Sequence, residues 1–418
     1  MTGMTFSRPP AAREHYQQRV ASLCRADPQV RAAAPDRDVL TAAQRPGLSL
    51  AESVDTVMTG YADRPALGER VREIVTDQAT GTTRLRLTRR LRTITYRDLW
   101  SRASAIAAGL HHDPRVPVRR GDFVATLGFV SSDYVAVELA CIRLGAVSVP
   151  LQATAAPDAL KPIIAETAPR LLATSVGSLG TAVEAVTGSQ TVRRLVVFDY
   201  AGETDAHRRA LGAARSRLAR AGSGIVIDTL ADVAAAGTAL PAIPVAAAGP
   251  AGADPLSLLI YTSGSTGAPK GAMYTERLVK NLWQEYWPGK DHPVIGLNYA
   301  PLSHVMGQFF LFSTLASGGT AYFVATADMS TMLEDYELVR PTELILVPRV
   351  CEMLLHHFQS ELSRHARTPG PRAALAAKVT GELRARTLGG RVVWAACGSA
   401  PLSAELAAFM ESVLQLPM

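Results

Sequence analysis

Aromatic residues make up only 6% of this 418-residue chain, charged residues 19%, and there are four cysteines. Cys24, Cys141, Cys351 and Cys397 lie far apart and match no zinc or redox spacing. No basic stretch followed by an apolar one opens the chain, so the expected compartment is the reduced cytoplasm. Cys397 reads as a small buried filler at a strand end rather than as a nucleophile. The net charge is +6, but no basic block is interleaved with aromatics, which argues against a nucleic-acid partner. Arg84, Arg86, Arg89, Arg90 and Arg92 alternate with leucines, as on the solvated face of a hairpin.

A membrane span is also missing. Residues 293–327 contain no Asp, Glu, Lys or Arg, and this stretch is longer than the roughly 20 apolar residues that cross a bilayer. It is broken by Pro301, Ser303, His304, Gln308 and the Gly318-Gly319 pair. It parses instead as a buried strand, a loop, a helix over about 304–316, a glycine turn and a second strand at 321–325, with both strands apolar as in a parallel sheet. There is no internal repeat.

What the chain does have is the run Tyr261-Thr262-Ser263-Gly264-Ser265-Thr266-Gly267-Ala268-Pro269-Lys270-Gly271, after the mostly apolar residues 256–260. Glycines let the backbone close on an anion, successive N–H groups form a concave anion site, and Ser and Thr hydroxyls add donors. Lys270 adds a point charge suited to polyphosphate. It is not a Walker loop, because Pro269 precedes the lysine and Gly271 follows it. A Ser/Gly-rich surface linker is the bland alternative, but the run lies between a buried strand and what reads as a helix-like segment, where a linker has no purpose.

Around this loop the pattern is strand and helix in alternation. Thr95-Tyr96-Arg97-Asp98-Leu99 is expected to open a helix with apolar residues at Leu99, Ala103, Ile106, Ala107 and Leu110, then come a strand at 123–127 and a helix over 134–144 stopped by Gly145. A strand at 147–150, a helix over 157–166 begun by Pro157, and strands at 171–174 and 195–198 follow. Residues 208–221 read as a basic surface helix and residues 236–253 as an Ala/Gly/Pro-rich approach to the loop. Beyond it come a strand at 343–347, helices over 350–362 and 373–386, a strand at 391–396 and a helix over 404–414 capped by Ser403. This spacing implies right-handed crossovers and an α/β fold of parallel sheets with helices on both faces. Residues 1–48 read as a polar, frayed or helical extension, and residues 49–418 as the folded domain.

The loop resembles the signature of the adenylate-forming superfamily: acyl-CoA synthetases, peptide-synthetase adenylation domains and luciferases. Gly271-Ala272-Met273-Tyr274-Thr275-Glu276, Pro301-Leu302-Ser303-His304-Val305-Met306-Gly307, Arg340-Pro341-Thr342-Glu343-Leu344, Val347-Pro348-Arg349-Val350-Cys351 and Gly398-Ser399-Ala400-Pro401-Leu402-Ser403 are similar to the adenylation domain of carboxylic acid reductases. The resemblance runs from about Ser49 to the last residue. It implies the large N-terminal subdomain of the adenylate-forming fold, and ATP-dependent activation of an aromatic or fatty carboxylic acid to an acyl-adenylate with release of pyrophosphate.

By that resemblance Thr262, Ser263, Gly264, Ser265, Thr266 and Gly267 hold the β- and γ-phosphates. Lys270 lies near the leaving pyrophosphate, or pins the loop to a nearby carboxylate. His304 orients the carboxylate or supports adenylate charge rather than acting as an obligatory base, because a carboxylate is already ionised at neutral pH. Its bland reading is a helix-capping or core histidine. Gly398, Ser399, Ala400 and Pro401 line the nucleotide and acyl sites, with Ser399 on the ligand, while Val305, Met306 and Gly307 are acyl-pocket candidates and Met306 is equally a core residue.

The family's further elements do not occur here: an adenine-stacking loop with its Mg²⁺-binding glutamate, the ribose-binding aspartate, the C-terminal subdomain with its lysine, a carrier domain with phosphopantetheine, and an NADPH-binding reductase domain. The resemblance therefore implies the N-terminal part of a larger enzyme, incomplete in fold and inactive as an isolated chain, with no metal ligand of its own. The alternatives are the same part of a medium- or long-chain fatty acid–CoA ligase, or a folded remnant without catalysis.

Overall fold

Strands apolar on both faces dictate where the main sheet lies, because such strands are stable only with helices covering both sides. The computed structural model describes residues 10–250, 252–263, 269–283, 291–365 and 371–416. The chain divides into two compact units. The first comprises residues 37–286 and 299–316, and the second residues 1–36, 287–298 and 317–418.

In the first unit the helices Arg37–Ala43 and Leu50–Gly60 lead into a hairpin of β1 (Pro65–Thr76) and β2 (Thr83–Thr95). Its turn is an Asx turn in which Asp77 Oδ1 accepts from the N–H groups of Ala79 and Thr80 at 2.9 and 3.0 Å. Glu73 stands opposite Arg86 in the register and is bonded to both Arg86 and Arg90, which places this arginine-rich strand face in solvent as its alternation implies.

The remaining strands are β3 (Phe123–Leu127), β4 (Val147–Leu151), β5 (Leu171–Ser175), β6 (Arg194–Phe198), β7 (Val226–Thr229), β8 (Leu256–Ser263) and β9 (Pro269–Thr275). They form one sheet in the order β7-β6-β5-β3-β4-β8-β9, parallel throughout except for β9, which pairs antiparallel with β8. The chain passes from β3 to β4 on one side and then back across to β5 on the other, which makes the sheet doubly wound. Leu127, Val149, Leu172 and Leu195 from the strands pack with Ile164 and Val183 from the helices in one buried cluster.

Helices Tyr96–His111 and Ser132–Leu144 start at Thr95 and Ser131, whose side chains accept N–H groups of the first turn. Gly145 ends the second in the left-handed conformation at φ 68°, as its sequence position implies. Pro157 begins the helix Pro157–Thr167.

The second unit contains β10 (Ile295–Asn298) beside β11 (Thr320–Phe323), and β12 (Glu343–Leu346) beside β13 (Trp394–Cys397), each pair parallel. Thr342 ties the pairs: Ile295 N–H donates to its Oγ1 at 2.8 Å, and its own N–H donates to the Ile295 carbonyl at 3.0 Å. The N-terminal residues are helical over Pro10–Ala26 and Pro28–Ala32, and they are more than a surface extension. Val30 and Ala33 are buried, and Asp27 both caps the second of these helices and pairs at 2.7 Å with the buried Arg391. Tyr16 Oη meets His292 Nδ1 at 2.7 Å, and the other ring nitrogen of His292 meets Glu343 at 2.9 Å.

Three sequence expectations need correction. The segment after the Ser/Thr/Gly run is strand β9, not helix-like. Its exposed Lys270, Gly271 and Met273 stand among half-buried positions, and Gly271 lets the strand lie against Leu259, which a Cβ would approach to 2.9 Å. The last strand begins at Trp394 rather than 391, because Arg391 turns inward to Asp27, Gln29 and the Val339 carbonyl. The helix expected over 373–386 is regular only over Arg372–Glu382 and then widens into a π turn at Leu383–Thr387.

Candidate active site

Strands β8 and β9 form the hairpin that carries the Ser/Thr/Gly run. Their register places Thr262 opposite Lys270 and Ser263 opposite Pro269, so residues 264–268 connect two paired strands. Thr262 and Lys270 are exposed, and Lys270 makes no ion pair with any described residue. A carboxylate that merely pins the loop through this lysine is therefore not found among the described residues. Gly264, Ser265, Thr266 and Gly267, together with the side chain of Ser263, lie outside them.

His304 lies one residue before the helix Val305–Ala316 of the same unit, at the junction the sequence implies, and it is exposed. The Met306 N–H donates to its Nδ1 at 3.4 Å, a weak cap that leaves Nε2 unengaged in the described contacts. The turn beneath it is closely built. Its N–H donates to the Pro301 carbonyl at 3.1 Å, and its carbonyl accepts from Gly307 at 2.9 Å and Gln308 at 3.3 Å. A Cβ on Gly307 would sit 2.1 Å from the Pro301 oxygen, so packing of the turn by itself requires a glycine here. Val305 is half-buried and Met306 is 37% exposed, which takes Met306 out of the core.

Further along, the helix is fixed within the unit: Phe312 stacks on Trp283 with centroids 4.9 Å apart, and the Leu315 carbonyl accepts from the Tyr96 hydroxyl at 2.9 Å. Gln308 is fully buried and donates through Nε2 to the Leu302 carbonyl at 2.9 Å.

Gly398, Ser399, Ala400 and Pro401 belong to the second unit, where they follow the carboxyl end of β13 and are all exposed. Gly398 N–H donates to the Leu346 carbonyl at 3.0 Å, and Ser399 takes a left-handed φ of 75°, rare for a residue with a Cβ. Ser403 caps the final helix by accepting the Leu406 N–H at 3.2 Å. Burial pushes the Cys397 thiol up, and it pushes that of the facing Cys351 up to about 12, so neither is held as a thiolate. A cavity of about 310 Å³ in this unit, lined by Asp328, Met329, Met332, Arg349 and Met353 among others, includes none of the expected site residues.

Two groups escaped the sequence reading. Glu138 is buried in the helix Ser132–Leu144 and accepts from the Ser148 hydroxyl at 2.8 Å, and Gln308 faces its carboxyl. A single acid within the apolar stretch 134–142 was the available signal for the first, and a glutamine one helical turn beyond His304 for the second.

The doubly wound sheet with its antiparallel edge strand defines an α/β module of parallel strands. The chain belongs to the AMP-binding enzyme family, whose model matches residues 72–418. Among curated relatives it is 49% identical over 413 residues to a carboxylic acid reductase of Segniliparus rugosus, a match covering 97% of this chain and 35% of that protein. It is 50% identical over 404 residues to the carboxylic acid reductase of Mycobacterium tuberculosis, covering 96% of this chain and 34% of the relative. The chain thus spans about a third of the length of these relatives.

The adenylation domain of the Segniliparus rugosus enzyme, solved with AMP and a co-purified carboxylic acid, superposes with a TM-score of 0.92 at 48% identity, over 96% of this chain and 64% of that one. That of a Mycobacterium chelonae carboxylate reductase gives 0.93 at 46% identity, over 99% and 63%. Among the described residues no helix is long and apolar enough to cross a membrane.

Proposed function

We propose that this chain supplies the phosphate grip and part of the acyl side of a site that joins a carboxylic acid to AMP. In that step a carboxylate oxygen bonds to the α-phosphorus of ATP, the bond from that phosphorus to the bridging oxygen breaks, and pyrophosphate leaves. Both partners are anionic, so the site must neutralise phosphate charge without reorganising. The observation that carries the reading is the hairpin: exposed Lys270 without an ion-pair partner among the described residues, in register with a threonine hydroxyl. Lys270 and Thr262 fit a polyphosphate as cation and donor. His304 presents its Nε2 edge from the turn before the helix Val305–Ala316 and orients the carboxylate.

ATP is the nucleotide by this reading, consistent with the AMP in the solved relative. Magnesium would accompany it, and no described residue is assigned to the ion. In the larger protein the acyl group passes to a carrier thiol and is reduced by NADPH. Identities of 48–50% to the reductases, against 24% to a plant long-chain acyl-CoA synthetase, favour this fate over release as a CoA ester. A reduced cytoplasm suits the four free cysteines.

The test is exchange of labelled pyrophosphate into ATP by the gene product that carries this sequence, with and without aromatic or fatty acids. Exchange that depends on the acid and is lost in H304A and K270M supports the reading. Exchange indifferent to the acid, or to both substitutions, overturns it.

A further inference from the structure

Glu138 has no place in the chemistry above, yet it is a carboxyl group buried at 3% exposure in the first unit. The groups around it are neutral: Tyr134 and Cys141 from its own helix, Ser148 from β4, and Gln308 from the helix that follows His304. One oxygen accepts from Ser148 at 2.8 Å. The amide of Gln308 faces the same carboxyl and spends Nε2 on the Leu302 carbonyl at 2.9 Å, two residues before His304. Gln308 Oε1 is buried and has no donor among the described residues. A proton on the facing carboxyl would give it one, in place of the amide-to-carboxylate bond that favours the charged acid. A buried polar chain of this kind is costly unless every member is satisfied, and a satisfied one fixes a unique geometry.

We propose that Glu138 is a positioning residue for His304, acting through Gln308: its carboxyl orients the glutamine amide, which holds the 301–304 turn in the form that presents the imidazole. This rests on the reading of His304 as the residue that meets the carboxylate. Burial raises the Glu138 acid to about 7, so its charge state changes around neutrality in the closed turn and near the ordinary carboxylate range once the turn opens. Opening therefore releases a proton between those limits and becomes easier as pH rises through them.

Hydrogen exchange followed by mass spectrometry on the peptide covering residues 301–308 tests this, with strand 123–127 as the internal reference. In the wild type the opening constant of 301–308, corrected for chemical exchange, is expected to rise at least about tenfold between pH 5 and pH 7. E138Q, which keeps the shape and adds an amide donor, is expected to hold protection at the pH 5 level throughout. E138A and Q308A are expected to raise exchange of that peptide about tenfold or more while leaving the reference strand unchanged, and the double variant no more than Q308A alone.

Identical pH profiles for wild type and E138Q overturn the proposal, as does full protection of 301–308 in Q308A. If E138A does not fold, the E138Q profile and Q308A decide. Activity of H304A in pyrophosphate exchange reports on the role of the histidine, and the exchange of residues 301–308 reports on the relay, so the two readings fail separately.

Discussion

The two stretches of the first unit that present chemical groups are built in opposite ways. The β8–β9 hairpin offers its groups from the edge of a sheet: Lys270 and Thr262 are exposed, and Met273 beside them is 66% exposed. The His304 turn offers one exposed imidazole from a base in which Leu302, Gln308 and Phe309 are buried and Gly307 has no room for a methyl group. A phosphate grip gains from side chains that adapt to a large anion, whereas orienting a carboxylate requires a group held in place before the substrate arrives. Substitutions in the hairpin should therefore change chemistry with little change in stability, and substitutions under His304 should change both.

The largest expected effect is from G307A. Its methyl group would lie 2.1 Å from the Pro301 oxygen and must displace the turn. It should cost about 3 kcal/mol in denaturant unfolding and abolish acid-dependent pyrophosphate exchange. Unchanged stability would mean that the turn is pliable and the contrast with the hairpin false.

Next is the pH dependence that Glu138 confers. The folded chain keeps this carboxyl protonated up to about 7, while the unfolded chain releases the proton near its ordinary value of 4.5. Its stabilising contribution is therefore whole below about 4.5, falls as pH rises to about 7, and is constant above, a change of about 3 kcal/mol. Asp199, raised to about 8 by burial and by neighbouring Asp133 and Glu69, acts in the same direction. The Glu138 share is thus read from the difference between wild type and E138Q in urea unfolding at pH 5 and pH 8.

K270M should lower pyrophosphate exchange about 100-fold, or about 2.7 kcal/mol in transition-state stabilisation, with stability within about 0.5 kcal/mol of wild type. A large stability loss would reveal a structural partner for the lysine. The smallest effect is expected from M306A. Its stability should lie within about 0.5 kcal/mol of wild type, with any change confined to the KM for the acid, as measured across chain lengths.

How far each stretch was legible in the sequence follows from the same contrast. The hairpin declares itself because the residue types that do the work are contiguous: hydroxyls, glycines and one lysine in a short run. Its second arm reads otherwise in sequence, because a short segment that opens Pro269-Lys270-Gly271 carries little strand signal until it pairs with β8. The apolar strands β3 to β6 and the Gly145 cap were legible from period and turn chemistry alone. The foundation of His304 was not, because it joins Glu138, Ser148 and Gln308 from three separate elements, and single-chain periodicity carries no information about such meetings. Arg391 was hidden for the same reason: a long-range partner, Asp27, turns an apparent strand start into a buried ion pair.

The origin of the oxygen in AMP tests the central claim most directly. Aromatic or fatty acid labelled with ¹⁸O in its carboxylate would be incubated with ATP, magnesium, hydroxylamine as acyl acceptor and the gene product that carries this sequence. If a carboxylate oxygen attacks the α-phosphorus and hydroxylamine then attacks the acyl carbon, each AMP released carries one ¹⁸O, and H304A releases far less of it. Unlabelled AMP, or formation of ADP in its place, would contradict the account.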